Sequence, residues 1–171
     1  MVKEKVLTLN LKRRVKLAGD TWEERIEKIT REVHKVAILL CDVWDNHWCG
    51  GAKRRVDMLA PEINRVVSIA RENGIQIIHS PSDTIDFYKD TIYRKRILEV
   101  PKVEPVELLS FSEPPLPLDD SDGGCDSGEK PWYRAWTREH PEIEIKGDDV
   151  ISDDGIEIYS FLKYLNIDTL I

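Results

Sequence analysis

KVAILLCDVWDNHWCGG, residues 35–51, is the stretch that decides the fold. Val36 to Leu40 is an unbroken apolar run of mostly branched aliphatics, closed by Cys41 and then Asp42. A run that short, without polar alternation, reads as a strand covered on both faces, as in a parallel sheet. Open parallel sheets hold ligands just beyond the carboxyl ends of their strands. Asp42 stands at that position, followed by Trp44, Asp45, His47, Trp48 and Cys49. A carboxylate there can act on a ligand or merely cap a turn, and the tryptophans can line a pocket or simply pack.

Working outward, Gly50-Gly51 allows a tight loop, and a helix is expected to run on to Asn73-Gly74, with Pro61 in its first turn or at a kink. Its buried stripe is Ile63, Val66, Val67 and Ala70. IQIIH (Ile75 to His79) is the next short apolar strand, ended by Ser80-Pro81-Ser82-Asp83. Strand, helix, strand at this spacing makes a right-handed βαβ unit.

Upstream, Val6 to Leu17 alternates apolar and polar residues, as a half-buried strand or hairpin arm does. Thr21-Trp22-Glu23-Glu24 has the form of a capping box, which predicts a helix carrying Trp22, Ile26, Ile29 and Val33 on one face. Residues 1–35 therefore read as an N-terminal strand-plus-helix extension, and 36–171 as one α/β domain.

Downstream, regular patterning stops across 84–131, a Pro-rich and acidic loop holding six of the nine prolines. A lid, an interface or disorder all suit such an excursion. Trp132, Tyr133 and Trp136 supply a lid, a dimer contact or packing; Asp119, Asp120, Asp122 and Asp126 miss the EF-hand spacing. Asp149 to Ser152 predicts a strand, and Asp153-Asp154-Gly155 can start a helix with Ile158, Phe161, Leu162 and Leu165 at helical spacing. Asn166 ends it, and Asp168 to Ile171 begins a last strand.

A net charge of −7 argues against nucleic acid and anionic membrane as partners. The basic triplets at 12–14, 53–55 and 94–96 read as solvated faces. No run approaches membrane-spanning length, and the mixed, charged N-terminus lacks a signal-peptide core, so a cytoplasmic location is expected. Three cysteines without framework spacing fit reduced thiols.

Taken in order, the apolar strand plus Asp42, the helix closed by ARENG, the strand IQIIH and the late helix with YLNIDTLI resemble the isochorismatase-like cysteine hydrolases, which include nicotinamidases. The resemblance covers about Val36 to Ile171. It implies a three-layer αβα fold with a parallel, Rossmann-like sheet between helix layers. It also implies hydrolysis of an amide or related C–N bond of a small metabolite, and often a homo-oligomer. In that family an Asp, a Lys and a Cys share the chemistry: a thiol attacks only as thiolate and needs a proton acceptor and a cation nearby.

Asp42 matches the family aspartate. Lys146 is the candidate lysine, although aligning Asp149 to Ser152 with the family strand leaves Asp153 or Asp154 in that place. The segment after Asp42 departs from the family's Asp-x-Gln pattern, so Trp44, His47, Trp48 and His79 are the candidate substrate-binding residues. The family cysteine would follow the strand that begins at Asp168, and the chain reads as C-terminally incomplete before it. Cys41 is expected to point into the sheet packing; Cys49 and Cys125 lie in loops and match no family position. No cofactor is expected. A non-catalytic ligand- or partner-binding member of the fold is the alternative, and a zinc- or iron-dependent enzyme using Asp45, His47, Cys49 and His79 is a weaker one.

Overall fold

The stretch that follows Lys35 does form a strand, and it lies inside a parallel sheet. The computed structural model describes residues 5–19, 21–106, 124–130 and 134–171. Among these the strands are β1 (Val6–Lys16), β2 (Trp22–Glu32), β3 (Val36–Cys41), β4 (Gln76–Ser80), β5 (Val150–Ile151) and β6 (Thr169–Leu170). The helices are α1 (Gly50–Glu72), α2 (Ile92–Leu98) and α3 (Gly155–Tyr164). The fold is mixed α/β, with a four-stranded parallel sheet in the order β5-β4-β3-β6.

Side chains alternate across the sheet, so neighbouring residues of one strand enter different cores. Val36, Leu40 and Ile77 join one cluster with Ala60, Val67 and Ala70 of α1. Ala37 and Ile78 join the other, with Ile97 of α2 and Ile158 and Phe161 of α3. Both faces of β3 and β4 are therefore apolar, which is why these strands carry no polar alternation.

Local chemistry sets the helix limits. Cys49 holds the N-cap position of α1 in an extended conformation, its carbonyl accepting the Lys53 N–H at 3.0 Å, and Gly74 ends the helix at φ +89°. Pro61 sits well inside α1 rather than in its first turn, and Val66 is exposed although Val67 and Ala70 of the expected stripe are buried. The Asp154 carboxylate caps α3, accepting the Ile156 and Glu157 N–H groups at 2.8 and 3.1 Å.

Two expectations are corrected. Residues 22–32 are a strand, not a helix: β2 pairs antiparallel with β1 over its whole length, from Lys16↔Trp22 to Val6↔Glu32. Basic residues of β1 meet acidic ones of β2, with Arg14 opposite Glu24 and Lys12 paired with Glu24 at 2.7 Å. The Lys16 ammonium lies 5.8 Å from the centre of the Trp22 ring. Cross-strand pairing outweighs a local capping signature, because every residue of the segment gains a partner. The stretch from Thr84 is not wholly irregular either, since it contains a 3-10 turn (Ile85–Tyr88) and α2. The Asp119, Asp120, Asp122, Trp132 and Tyr133 expectations lie outside the described residues.

Candidate functional site

β3 and β4 end in register, Cys41 opposite Ser80, and the Asp42 N–H continues the ladder by donating to the Ser80 carbonyl at 3.0 Å. The chain then turns sharply: Asp42 has φ +55°, a left-handed conformation that Asp tolerates better than most residues. Its carboxylate accepts the Ser82 N–H at 2.9 Å, tying the loop after β3 to the loop after β4. Asp42 lines a cleft of about 240 Å³ together with Trp44, Asn46, His47, Ala52 and Val56.

The cleft wall is aromatic. The Trp44 ring stacks on Trp136, centroids 4.0 Å apart and 7° from parallel, and its indole N–H donates to the Ser82 carbonyl at 3.1 Å. His47 lies nearly parallel to Trp136 at 5.7 Å, and Trp48 tilts against His47 at 4.9 Å. Residues 135–140 hold these rings by running beside residues 43–46. Trp44 bridges Glu139, the His140 N–H donates to the Val43 carbonyl at 2.7 Å, and Asn46 Nδ2 donates to the Ala135 carbonyl at 3.2 Å. Asp45 points at the same segment, accepting from the Thr137 N–H at 2.8 Å and the Thr137 hydroxyl at 2.5 Å. Burial pushes the Asp45 carboxyl up, and these hydrogen bonds more than offset it, so its pKa lies below the ordinary value.

His79 is not part of this cleft. It is completely buried, with Nδ1 2.9 Å from the Glu139 carboxylate and Nε2 3.1 Å from Asp149 Oδ2. Arg71 grips Asp149 with two hydrogen bonds of 2.9 and 2.7 Å. Burial works against a charged ring, but the carboxylates of Asp149 and Glu139 outweigh it and raise the His79 pKa above its usual value. Burial is also the main reason the Glu139 pKa is raised. Asp149 goes the other way: burial would raise it, yet His79 and Arg71 hold it low. This is a buried polar network that braces the sheet.

Lys146 is remote from Asp42. It precedes β5, its N–H donates to Asp149 Oδ2 at 2.9 Å, and its exposed ammonium pairs with Glu144 at 2.5 Å. Asp42 follows the carboxyl end of β3, and the strands are parallel, so the two residues stand at opposite ends of the sheet. At the cleft end β5 is followed by Ser152 and then Asp153, whose carboxylate accepts the Asp83 N–H at 3.0 Å. Cys41 is exposed rather than packed in the sheet, and burial together with the Asp42 charge pushes its thiol pKa up.

The structure thus brings Asp42, Trp44, His47 and Trp48 together and leaves Lys146 and His79 elsewhere. Asp45, His47, Cys49 and His79 do not converge on one point. Among the described residues, the group of His, Cys, Asp or Glu side chains close enough to hold a metal ion is Cys49, Cys125 and Glu129. Trp136, read from sequence as lid, dimer contact or packing, packs on Trp44 and His47; Asn46 and Glu139 were not anticipated, and nothing in their local sequence marks them, since each acts through a distant partner. No protein-family model, no curated protein and no solved structure matches this chain.

Proposed function

We propose that this chain carries the core of a small-molecule hydrolase of the isochorismatase-like kind, a three-layer αβα fold in which Asp42 is the proton acceptor. The observation that carries this reading is the position of Asp42: it follows β3, where the strand order reverses between β4 and β6, and it lines the aromatic cleft. Reversal points of this kind are where open parallel sheets bind their ligands. At about 240 Å³ the cleft falls below the roughly 300 Å³ at which ordinary ligand pockets begin, which suits a small, flat amide against Trp44 and His47.

The register supports the chemistry. β6 lies against β3 with Ala37 opposite Leu170, and the Leu39 N–H donates to the Ile171 carbonyl at 2.8 Å. Chain continuing in that register comes level with Asp42 as many residues past Leu170 as Asp42 lies past Ala37. A thiol delivered there loses its proton to Asp42 and attacks the amide carbonyl. The leaving amine takes the proton back from Asp42, and water then hydrolyses the thioester. In this reading Lys146 has no catalytic part.

A second reading, ligand binding without turnover, is favoured by one specific observation: none of Cys41, Cys49 and Cys125 lines the cleft. Ammonia release from a panel of small primary amides by the protein at its natural length separates the two. Under the hydrolase reading Asp42→Asn abolishes release while the melting temperature stays within a few degrees. Undiminished release in Asp42→Asn sinks that reading. Saturable amide binding, seen by calorimetry with no ammonia formed and lost in Trp44→Ala, establishes the binding module instead.

A further inference from the structure

The start of α1 is covered by the loop of residues 124–130, and this contact is unusually close. The Gly51 N–H donates to Ser127 Oγ at 2.7 Å, and a Cβ on Gly51 would fall 1.7 Å from Asp126 Oδ1. On Gly50 it would meet Glu129 Oε1 at 3.0 Å. The two glycines are what let the loop descend onto the helix. Two thiols and a carboxylate meet there. Cys49 Sγ and Cys125 Sγ flank Ser127 Oγ at 3.5 and 3.7 Å, and Cys125 Sγ donates to Glu129 Oε2 at 3.3 Å. Both cysteines are buried, and all three donor atoms lie within 4.8 Å of one another.

We propose that Cys49, Cys125 and Glu129 bind one zinc ion, with water in the fourth position, and that this ion clips the loop to the start of α1. Two sulfurs and one carboxylate oxygen suit zinc, whereas calcium and magnesium take oxygen alone. Zinc bonds of about 2.3 Å to sulfur and 2.0–2.2 Å to oxygen put neighbouring tetrahedral ligands roughly 3.5 Å apart, so small side-chain rotations suffice. A disulfide would use the sulfurs alone and give the solvent-exposed Glu129 carboxylate no part in the site. Binding exchanges the two thiol protons, released to solvent, for the metal. The site also touches the cleft, because the Cys49 N–H donates to His47 Nδ1 at 3.0 Å.

The test is made on the full chain, purified without chelator. Elemental analysis is expected to find one zinc per chain. Titration of the metal-free protein with cobalt(II) is expected to give the near-ultraviolet charge-transfer band of a thiolate-bound ion. Cys125→Ser and Glu129→Gln are each expected to weaken zinc, measured against a chromophoric chelator, by more than about tenfold, the lower end of the loss when even an outer-shell partner is removed. Cys41→Ser is expected to leave it unchanged. These loop variants carry the test if Cys49→Ser fails to fold. Wild-type protein without stoichiometric zinc, or zinc held equally by Cys125→Ser, overturns the proposal. So does a species two hydrogens lighter, joined through Cys49 and Cys125, that forms as readily in saturating zinc as without it.

Discussion

At the scale of single residues, two carboxylate settings make opposite demands. Asp42 holds a left-handed backbone and accepts one N–H from Ser82. Asn suits both, so Asp42→Asn is expected to stay within about 0.5 kcal/mol of wild type, whereas Asp42→Ala loses the acceptor and strains the turn, for about 1–3 kcal/mol in urea unfolding. His79 carries a sharper prediction. Its folded pKa stands above 6.5, so its contribution to stability is complete below that value and is lost as pH rises through the raised folded value. Glu139, raised by burial, has the same sign; Asp149, held low, contributes above 3.8 and loses its contribution as pH falls. Unfolding free energy should therefore be greatest in mildly acidic buffer and decline toward alkaline pH. His79→Leu leaves two buried carboxylates without their shared partner and is expected to destabilise by about 3–5 kcal/mol, flattening the His79 part of that decline. Sequence made Asp42 legible, because it ends an apolar run. It hid the role of His79, whose partners lie 60 and 70 residues away in segments without periodicity.

At the scale of elements, β3, α1, β4 and α3 were readable because each carries its own boundary signals: Asp42, Asn73-Gly74 and Pro81 as stops, and Asp154 as the start and Asn166 as the end of α3. β2 was not, since a capping-box spelling and helically spaced Trp22, Ile26 and Ile29 are local signals, while the pairing that fixes it lies across the turn in β1. The hairpin itself is largely exposed, with Ile26 at 69%, and a two-stranded ribbon is marginal alone. Its base is fastened where the Val33 N–H donates to the Lys5 carbonyl at 3.1 Å and Leu7 packs on the α1 core. Paired amides between Leu9 and Ile29 are thus expected to exchange with solvent orders of magnitude faster than those of Ile77 and Ile78, measured by deuterium exchange with mass spectrometry. Equal protection in both places would mean that the ribbon opens only with the body.

At the scale of the whole molecule, β6 is an edge of the sheet among the described residues, and Leu170 is 45% and Ile171 50% exposed there. Unpaired edges recruit other strands. The 171-residue chain is expected to associate at micromolar concentration in sedimentation velocity runs, and Leu170→Lys to shift it toward monomer. A monodisperse wild-type monomer would show that this edge is inert. Among the described residues no helix is long and apolar enough to cross a membrane. The α/β class was legible because both cores draw on the same two apolar strands. The cleft wall was not, because residues 135–140 reach it through tertiary contacts alone.

The position of β3 between β4 and β6 also sets an order of assembly. As the chain is synthesised, β3, α1 and β4 can close on one another as soon as Ser80 has emerged. The other margin of β3 must wait for Thr169 and Leu170, which arrive only after the long proline-rich excursion and α3. For that interval a nascent chain exposes the backbone of its most apolar strand, and crowding of neighbouring nascent chains is the hazard it has to survive.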